Sequence, residues 1–467
     1  MWTGSWFTRL VGTLAATALE DCVLMRPQDR VAVGLADAVL AGEADIDSMA
    51  ERMAMALTRK HHWLRPLAKS ISCQFGTSIS YAHRRELIGF IQRDPGYDEA
   101  RTTSSKIRIR RYFLASPPMN PRPSALAACA LPELPTPGDL AAWLGISVAE
   151  LAWHADLRGM ISEVEGKLCH YHYQWLPKRS GGYRLIASPK VRHCAIQRAI
   201  LRGILDHVPP HAAAHGFRRS HSCLTYVAPH IGKDVVLRMD LQNFFGSIPA
   251  ARVNALFKTL GYPEATARYL AGLCTNRISV GEAFKIPGTA SDFDLPWHER
   301  KNLSLPHLPQ GAPTSPALAN LCALHLDLRL SALAESLDGN YTRYADDLAI
   351  SGGEVVRRKV EKIQAHVAAI AAEEKFIVNF HKTRIMHNSD RQMLTGIVIN
   401  DKTNMQRVEY DRLKAILHNC QRSDPQVQNR ESHQDFRTHL LGRVNYLKTL
   451  NQQRGDKLME IFERVAW

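Results

Sequence analysis

Apolar positions recur along this chain in two periods, and the switch between them marks its organisation. From Asp45 to Leu57 the spacing is helical, with Ile46, Met49, Met53 and Leu57 on one face. The methionines there read as core filler. Residues 1–114 as a whole predict a mostly helical N-terminal extension. It opens with an amphipathic helix at Leu10–Leu19 rather than the core of a signal peptide. Within it, Ile107 and Ile109 alternate with Arg108 and Arg110, which predicts an edge strand with a basic face. That face serves either as a solvated guard against edge pairing or as a phosphate contact. Residues 115–138 are rich in Pro and small residues and predict a linker. Two short helices flanking Leu144-Gly-Ile-Ser147 follow.

Period-two alternation then takes over. Tyr171–Pro189 predicts a hairpin with Ser180-Gly181-Gly182 in its turn, and Lys190–Leu205 an amphipathic helix with Arg192, Arg198 and Arg202 on its polar side. Lys233–Asp240 is an apolar strand that ends in a carboxylate. Residues 251–275 predict helix, and 276–307 an irregular insertion. The Gly311-Ala-Pro turn leads into a helix with Pro316 near its start, buried through Leu318, Cys322, Leu324 and Leu326. Asn340–Gly352 predicts a second hairpin, its turn at Ala345-Asp346-Asp347. Val360, Ile363, Val367 and Ile370 lie at helical spacing in Glu354–Ala372. From Asp401 onward three helices are expected, the middle one striped by Phe436, Leu440, Val444 and Leu447.

Charge narrows the partners. The 467 residues carry 59 Lys and Arg against 45 Asp and Glu, a formal surplus of +14 that favours a polyanion. No apolar run approaches the ~18–20 residues of a membrane-spanning helix, so no membrane partner is expected. The nine cysteines are scattered with no Cys-x-x-Cys pair, which fits reduced thiols in a cytoplasmic protein. The 21 histidines show no metal-ligand cluster.

The chemistry concentrates where the strands end. Asp346 and Asp347 are adjacent acids that repel each other and suit a strand poorly. A divalent cation is the usual compensation, since hard cations take oxygen ligands. Asp240 supplies a carboxylate from a second strand. Such a set can hold two Mg²⁺ ions roughly 3.5–4 Å apart, the clamp used for in-line phosphoryl transfer.

In order and spacing these motifs resemble the reverse transcriptases, and among them the bacterial retron-type enzymes. Asp240 with Phe244-Phe245, Gln310-Gly311-Ala-Pro-Thr-Ser-Pro316 and Tyr344-Ala-Asp-Asp347 are similar to the first three palm motifs. Asn379-Phe-His-Lys-Thr383 and Arg391-Gln-Met-Leu-Thr-Gly396 resemble the two that follow. The likeness runs over roughly 136–467. It departs at Tyr226-Val-Ala-Pro-His230, where many retron enzymes have Asn-Ala-x-x-His and only His230 is kept.

The resemblance implies an α+β right-hand polymerase: fingers and palm over 139–400 and a helical thumb over 401–467. Asp240, Asp346 and Asp347 would bind Mg²⁺. Lys178, Arg179 and Arg184 on the fingers hairpin would face the incoming triphosphate, and Gln310 and Gly311 the nucleotide or template. Phe245 would stand against the sugar 2′ position, unless both phenylalanines are core. Lys382 would protonate the leaving pyrophosphate or else lie at the surface. Arg218, Arg219 and His230 would approach template, and Arg443 in the thumb would hold the duplex backbone. Arg343 would be structural or a phosphate contact. The implied activity is RNA-directed DNA polymerisation from dNTPs. It would copy a dedicated structured non-coding RNA, template and 2′-hydroxyl primer in one, into an RNA–DNA product, branched multicopy single-stranded DNA. Such systems act in antiphage defence with an effector or toxin protein. The alternatives are another defence-associated or intron-encoded reverse transcriptase, or an RNA-binding scaffold that restrains a toxin.

Overall fold

The computed structural model describes residues 29–467 apart from 43, 58, 77–78, 80–82, 104–106, 114–118, 161–168, 179–182 and 279–302. The chain forms two compact units, Met1–Met119 and Asn120–Trp467. The helix expected at 10–19, Arg179 and most of the 276–307 insertion fall outside the described residues.

The first unit is built from helices α1 (Asp29–Leu40), α2 (Ile46–Leu57), α3 (Leu64–Phe75), α4 (Arg84–Gln92) and α5 (Pro95–Thr103). Met49 and Met53 point inward with Leu35, Leu67, Leu87 and Ile91, as the helical spacing requires. Arg52 donates to the carbonyls of Ala38 and Val39, covering two orphan acceptors at the end of α1. The edge strand expected at 107–110 is not formed. A strand needs a partner, and among the described residues this unit has none. Instead Ile107 and Ile109 fill the helical core, and Arg110 donates its backbone N–H to Ala56.

The second unit centres on a four-stranded antiparallel sheet in the order β4-β5-β3-β6. Its strands are β3 (Val235–Asp240), β4 (Asn340–Tyr344), β5 (Asp347–Gly352) and β6 (Arg384–His387). β3 is buried along almost its whole length, which its run of Val, Val, Leu and Met dictates. A separate hairpin, β1 (Tyr171–Pro177) and β2 (Tyr183–Pro189), precedes the sheet. A short pair, β7 (Met393–Leu394) and β8 (Ile397–Val398), follows it.

The helices of this unit are α6 (Pro137–Leu144), α7 (Val148–Ala155), α8 (Val191–Gly203), α9 (Cys223–Val227), α10 (Ala250–Thr259) and α11 (Glu264–Cys274). They continue with α12 (Ser315–Cys322), α13 (Leu324–Glu335) and α14 (Glu354–Glu373). α12 and α13 are broken by a 51° bend at Ala323, and Leu324, expected in the core, is left 39% exposed there. Among the described residues no single helix is long and apolar enough to cross a membrane. The chain ends in α15 (Arg407–Arg422), α16 (Phe436–Leu450) and α17 (Gln452–Glu463) around Leu417, Phe436, Leu440, Val444, Leu447 and Phe462.

From Asn120 onward the Pro-rich stretch packs within the second unit. Asn120 bonds Gly261 and Tyr262, and Leu131 and Leu134 are buried.

One close approach ties a loop to the β4–β5 turn. A Cβ on Gly216 would lie 2.7 Å from the backbone nitrogen of Ala345. Backbone cannot yield as a side chain can, so Gly216→Ala is expected to cost about 1–3 kcal/mol. A Cβ on Gly442, within α16, would meet nothing within 4 Å. Gly442→Ala should therefore gain about 0.5–1 kcal/mol from helix propensity. Urea midpoints of the two variants check the opposite signs.

Candidate active site

Three carboxylates meet because two strands of the sheet are paired in one register. Asp240 ends β3 directly opposite Asp347, which begins β5. Asp346 occupies the β4–β5 turn beside Ala345, whose φ of +56° turns the chain within two residues. Leu241 donates to the Asp346 carbonyl at 2.9 Å, so both ends of the acid cluster are fixed by backbone.

Each acid has a different partner. Lys382 on the short 3₁₀ turn Phe380–Lys382 bonds both oxygens of Asp240 at 3.0 and 2.9 Å. Arg238 takes both oxygens of Asp347, at 2.7–3.0 Å. Burial and the neighbouring Asp240 raise the Asp346 pKa. Burial raises that of Asp347 as well, against the pull of Arg238. Asp240 and Asp346 line a cleft of about 510 Å³, whereas Asp347 is not among its walls. The three expected metal ligands are thus unequal: Asp240 and Asp347 are each paired with a cationic side chain, and Asp347 alone of the three is outside the cleft wall.

The same cleft collects most of the other residues singled out from sequence. Lys178 and Arg184 overhang it from the β1–β2 hairpin, and Phe245, Gln310 and Lys382 form part of its wall. Phe244 is 4% exposed and packs on Phe376, so Phe245, only partly buried, is the ring available to a ligand. Gly311 is not in the wall. At φ +122° its missing Cβ lets it approach Ala187, whose carbonyl oxygen would stand 2.9 Å from such an atom. Ala187 in turn donates to the Gln310 carbonyl, which fixes this loop to β2.

Of the residues expected at nucleic acid, His230 is a correction. It is wholly buried, 2.6 Å from Ser351 Oγ and 2.7 Å from Thr342 Oγ1. Thr342 spends its own proton on the Tyr226 carbonyl, so His230 Nε2 donates to Thr342 and Nδ1 accepts from Ser351. Burial pushes its pKa down to about 3. It ties a loop to the sheet and has no exposed surface to offer a template. Arg219 is open to solvent beside Asp206, and Arg218 is part-buried near the His211 carbonyl. Arg443 pairs with Glu409 at 2.9 Å beside a groove lined also by His439 and Tyr446.

Arg343 resolves to a structural role. It is fully buried, with two bonds to Asp327 at 2.7 Å, one to Asn320 at 3.0 Å and one to the Ala345 carbonyl at 3.1 Å. It therefore braces the turn that carries Asp346. Sequence reasoning missed this network, as it missed Arg238 and the aromatic Phe217 and Trp175 in the cleft wall. Phe217 follows Gly216, the glycine that lies against the turn, a contact only the structure shows.

The reading of the histidines also needs correction. His154, His170 and His193 converge, one nitrogen of each lying within 4.8 Å of the others. Burial, with the neighbouring rings, lowers His154 to about 4 and His193 to about 3.

Comparison with known proteins gives a consistent picture. The family described as "Reverse transcriptase (RNA-dependent DNA polymerase)" matches residues 176–442. The chain is 38% identical over 358 residues to the retron Mx65 reverse transcriptase of Myxococcus xanthus, spanning 77% of this chain and 78% of that protein. It is 38% identical over 309 residues to the retron Mx162 reverse transcriptase of the same organism, covering 63% and 61%. With the retron Ec86 reverse transcriptase of Escherichia coli the identity is 34% over 236 residues, covering 50% and 64%.

Proposed function

Since this chain belongs to the retron reverse transcriptases, an RNA-directed DNA polymerase family, we propose that it copies its own structured RNA into branched multicopy single-stranded DNA, in defence against phage alongside an effector protein. The observation that carries the reading is the single cleft where the carboxylate that ends β3 and the one in the β4–β5 turn face two cationic side chains from a hairpin. A right-hand polymerase accounts for this arrangement, with β1–β2 as fingers, the four-stranded sheet as palm and α15–α17 as thumb.

The donor set suits magnesium. Asp240 and Asp346 offer hard oxygens, and their crowding leaves Asp346 with a raised pKa that a cation would relieve. Asp347, held by Arg238, adds to the negative field behind them. Divalent ions held there would supply Lewis-acid charge for attack of a primer hydroxyl on a dNTP α-phosphate and for release of pyrophosphate. The chain's own groups do the rest. Lys178 and Arg184 neutralise and position the triphosphate, where preorganised charge counts most. Lys382 orients Asp240 and offers a proton to the departing pyrophosphate. Phe245 fills the space a 2′-hydroxyl would need.

Primer extension on an RNA template tests this. The protein should use dNTPs and discriminate against rNTPs. Phe245→Ala should lower that discrimination about 10–200-fold, while leaving dNTP use largely intact. Equal use of both nucleotide types by the unaltered protein would sink the assignment of Phe245.

A further inference from the structure

We propose that His154, His170 and His193 form a binding site for a borderline-soft transition-metal cation, with Zn²⁺ as its first candidate. The three rings come from three elements: the last turn of α7, the approach to β1 and the first turn of α8. His154 Nδ1 and His193 Nδ1 lie 3.2 Å apart. Two nitrogens on a tetrahedral zinc, each at about 2.05 Å, would be separated by about 3.3 Å. The hydrogen bond between the two rings therefore already has the spacing of a ligand pair, and an ion would take the place of its proton.

Outer contacts set the rings for this. His170 Nε2 stands 3.0 Å from the Trp153 carbonyl, which accepts only, so that nitrogen carries the proton and Nδ1 the lone pair. Metal-binding histidines are commonly fixed by such a bond. Gln197 directs its amide at Tyr171 Oη, 2.9 Å away, and at the Leu273 carbonyl, 2.8 Å away. His193 Nε2 lies 3.2 Å from both Tyr171 Oη and the Gln197 amide nitrogen, so Nδ1 is the ring nitrogen turned toward His154.

Beside the rings opens a cavity of about 350 Å³ that Cys169 and Asp156 also line. It leaves room for a fourth ligand, a thiolate, a carboxylate or a water. This site is separate from the aspartate cleft, and none of its residues lines that wall. Imidazole nitrogens favour zinc over magnesium, so the two sites sort different cations. A bound ion would staple α7 and α8 to the root of the β1–β2 hairpin, whose far end carries Lys178 and Arg184.

The test uses the full chain, stripped with a chelator and titrated with Zn²⁺ against a chromophoric competitor, with excess Mg²⁺ present to occupy the carboxylates. One equivalent per chain is expected, with an unfolding temperature raised by a few degrees. His170→Ala, at a partly exposed ring, should weaken binding at least about 100-fold while keeping its helical circular dichroism. His193→Gln should do the same. Zn²⁺ uptake equal in the unaltered protein and in a folded His170→Ala variant would overturn the site. So would no uptake at all.

Discussion

Asp346→Asn should abolish templated DNA synthesis and, at neutral pH without divalent ions, make the protein harder to unfold. The loss of activity should be about three orders of magnitude or more, since the substitution removes a charged ligand from the centre of the cleft. The gain in stability follows from the raised pKa. A carboxyl whose folded pKa lies above its unfolded value stabilises the fold fully below the unfolded value. That contribution is lost as pH rises through the folded one. At neutral pH the ionised Asp346 is thus a liability beside Asp240, and Asn removes it. The variant's advantage should shrink as pH falls toward 4, where the native carboxyl takes up its proton. It should also shrink when Mg²⁺ is added at pH 7, because a ligand that binds only the folded state stabilises it. Thermal melts at two pH values, with and without Mg²⁺, read all of this. A variant that melts below the unaltered protein in metal-free buffer at pH 7 would contradict the account of the cluster.

The second large effect is expected at Arg343. Its guanidinium and the Asp327 carboxylate are both 0% exposed. Arg343→Met leaves Asp327 as an uncompensated buried charge, at a cost of about 3–5 kcal/mol. Tyr341, which donates to the same carboxylate at 2.8 Å, cannot make up the difference alone. Replacing both members, Arg343→Met with Asp327→Leu, should recover much of the stability, because buried pairs exchange for apolar residues at little net loss. Activity should not return with it. The Ala345 carbonyl would still lack its donor, and the turn holding Asp346 would be unbraced. Denaturant midpoints and primer extension on the single and double variants separate the two contributions.

Much of the site was legible because its residues are local in sequence. The Tyr344-to-Asp347 hairpin and the strand that ends in Asp240 carry their own period and their own terminators. Pairing them needed only the ordinary antiparallel register. What was not legible depends on contacts between distant segments. Arg238 gave no sign that it would reach across to Asp347, more than a hundred residues on. His230 looked functional because a motif placed it there, yet its two bonds go to Ser351 and Thr342 inside the sheet. Ile107 and Ile109 alternate as strand residues do, but alternation cannot supply a partner strand. The histidine cluster is the plainest case. Residues 154, 170 and 193 follow no metal-ligand spacing, and only the packing of α7, β1 and α8 brings them together.

The most direct measurement uses protein purified from cells that carry its native locus, beside the Asp346→Ala/Asp347→Ala double variant. Bound nucleic acid is resolved on a denaturing gel before and after RNase and debranching enzyme. The expected result is a discrete DNA species joined to RNA, shifted by debranching and absent from the double variant. RNA alone, identical in both proteins, would contradict the polymerase account and leave a scaffold in its place.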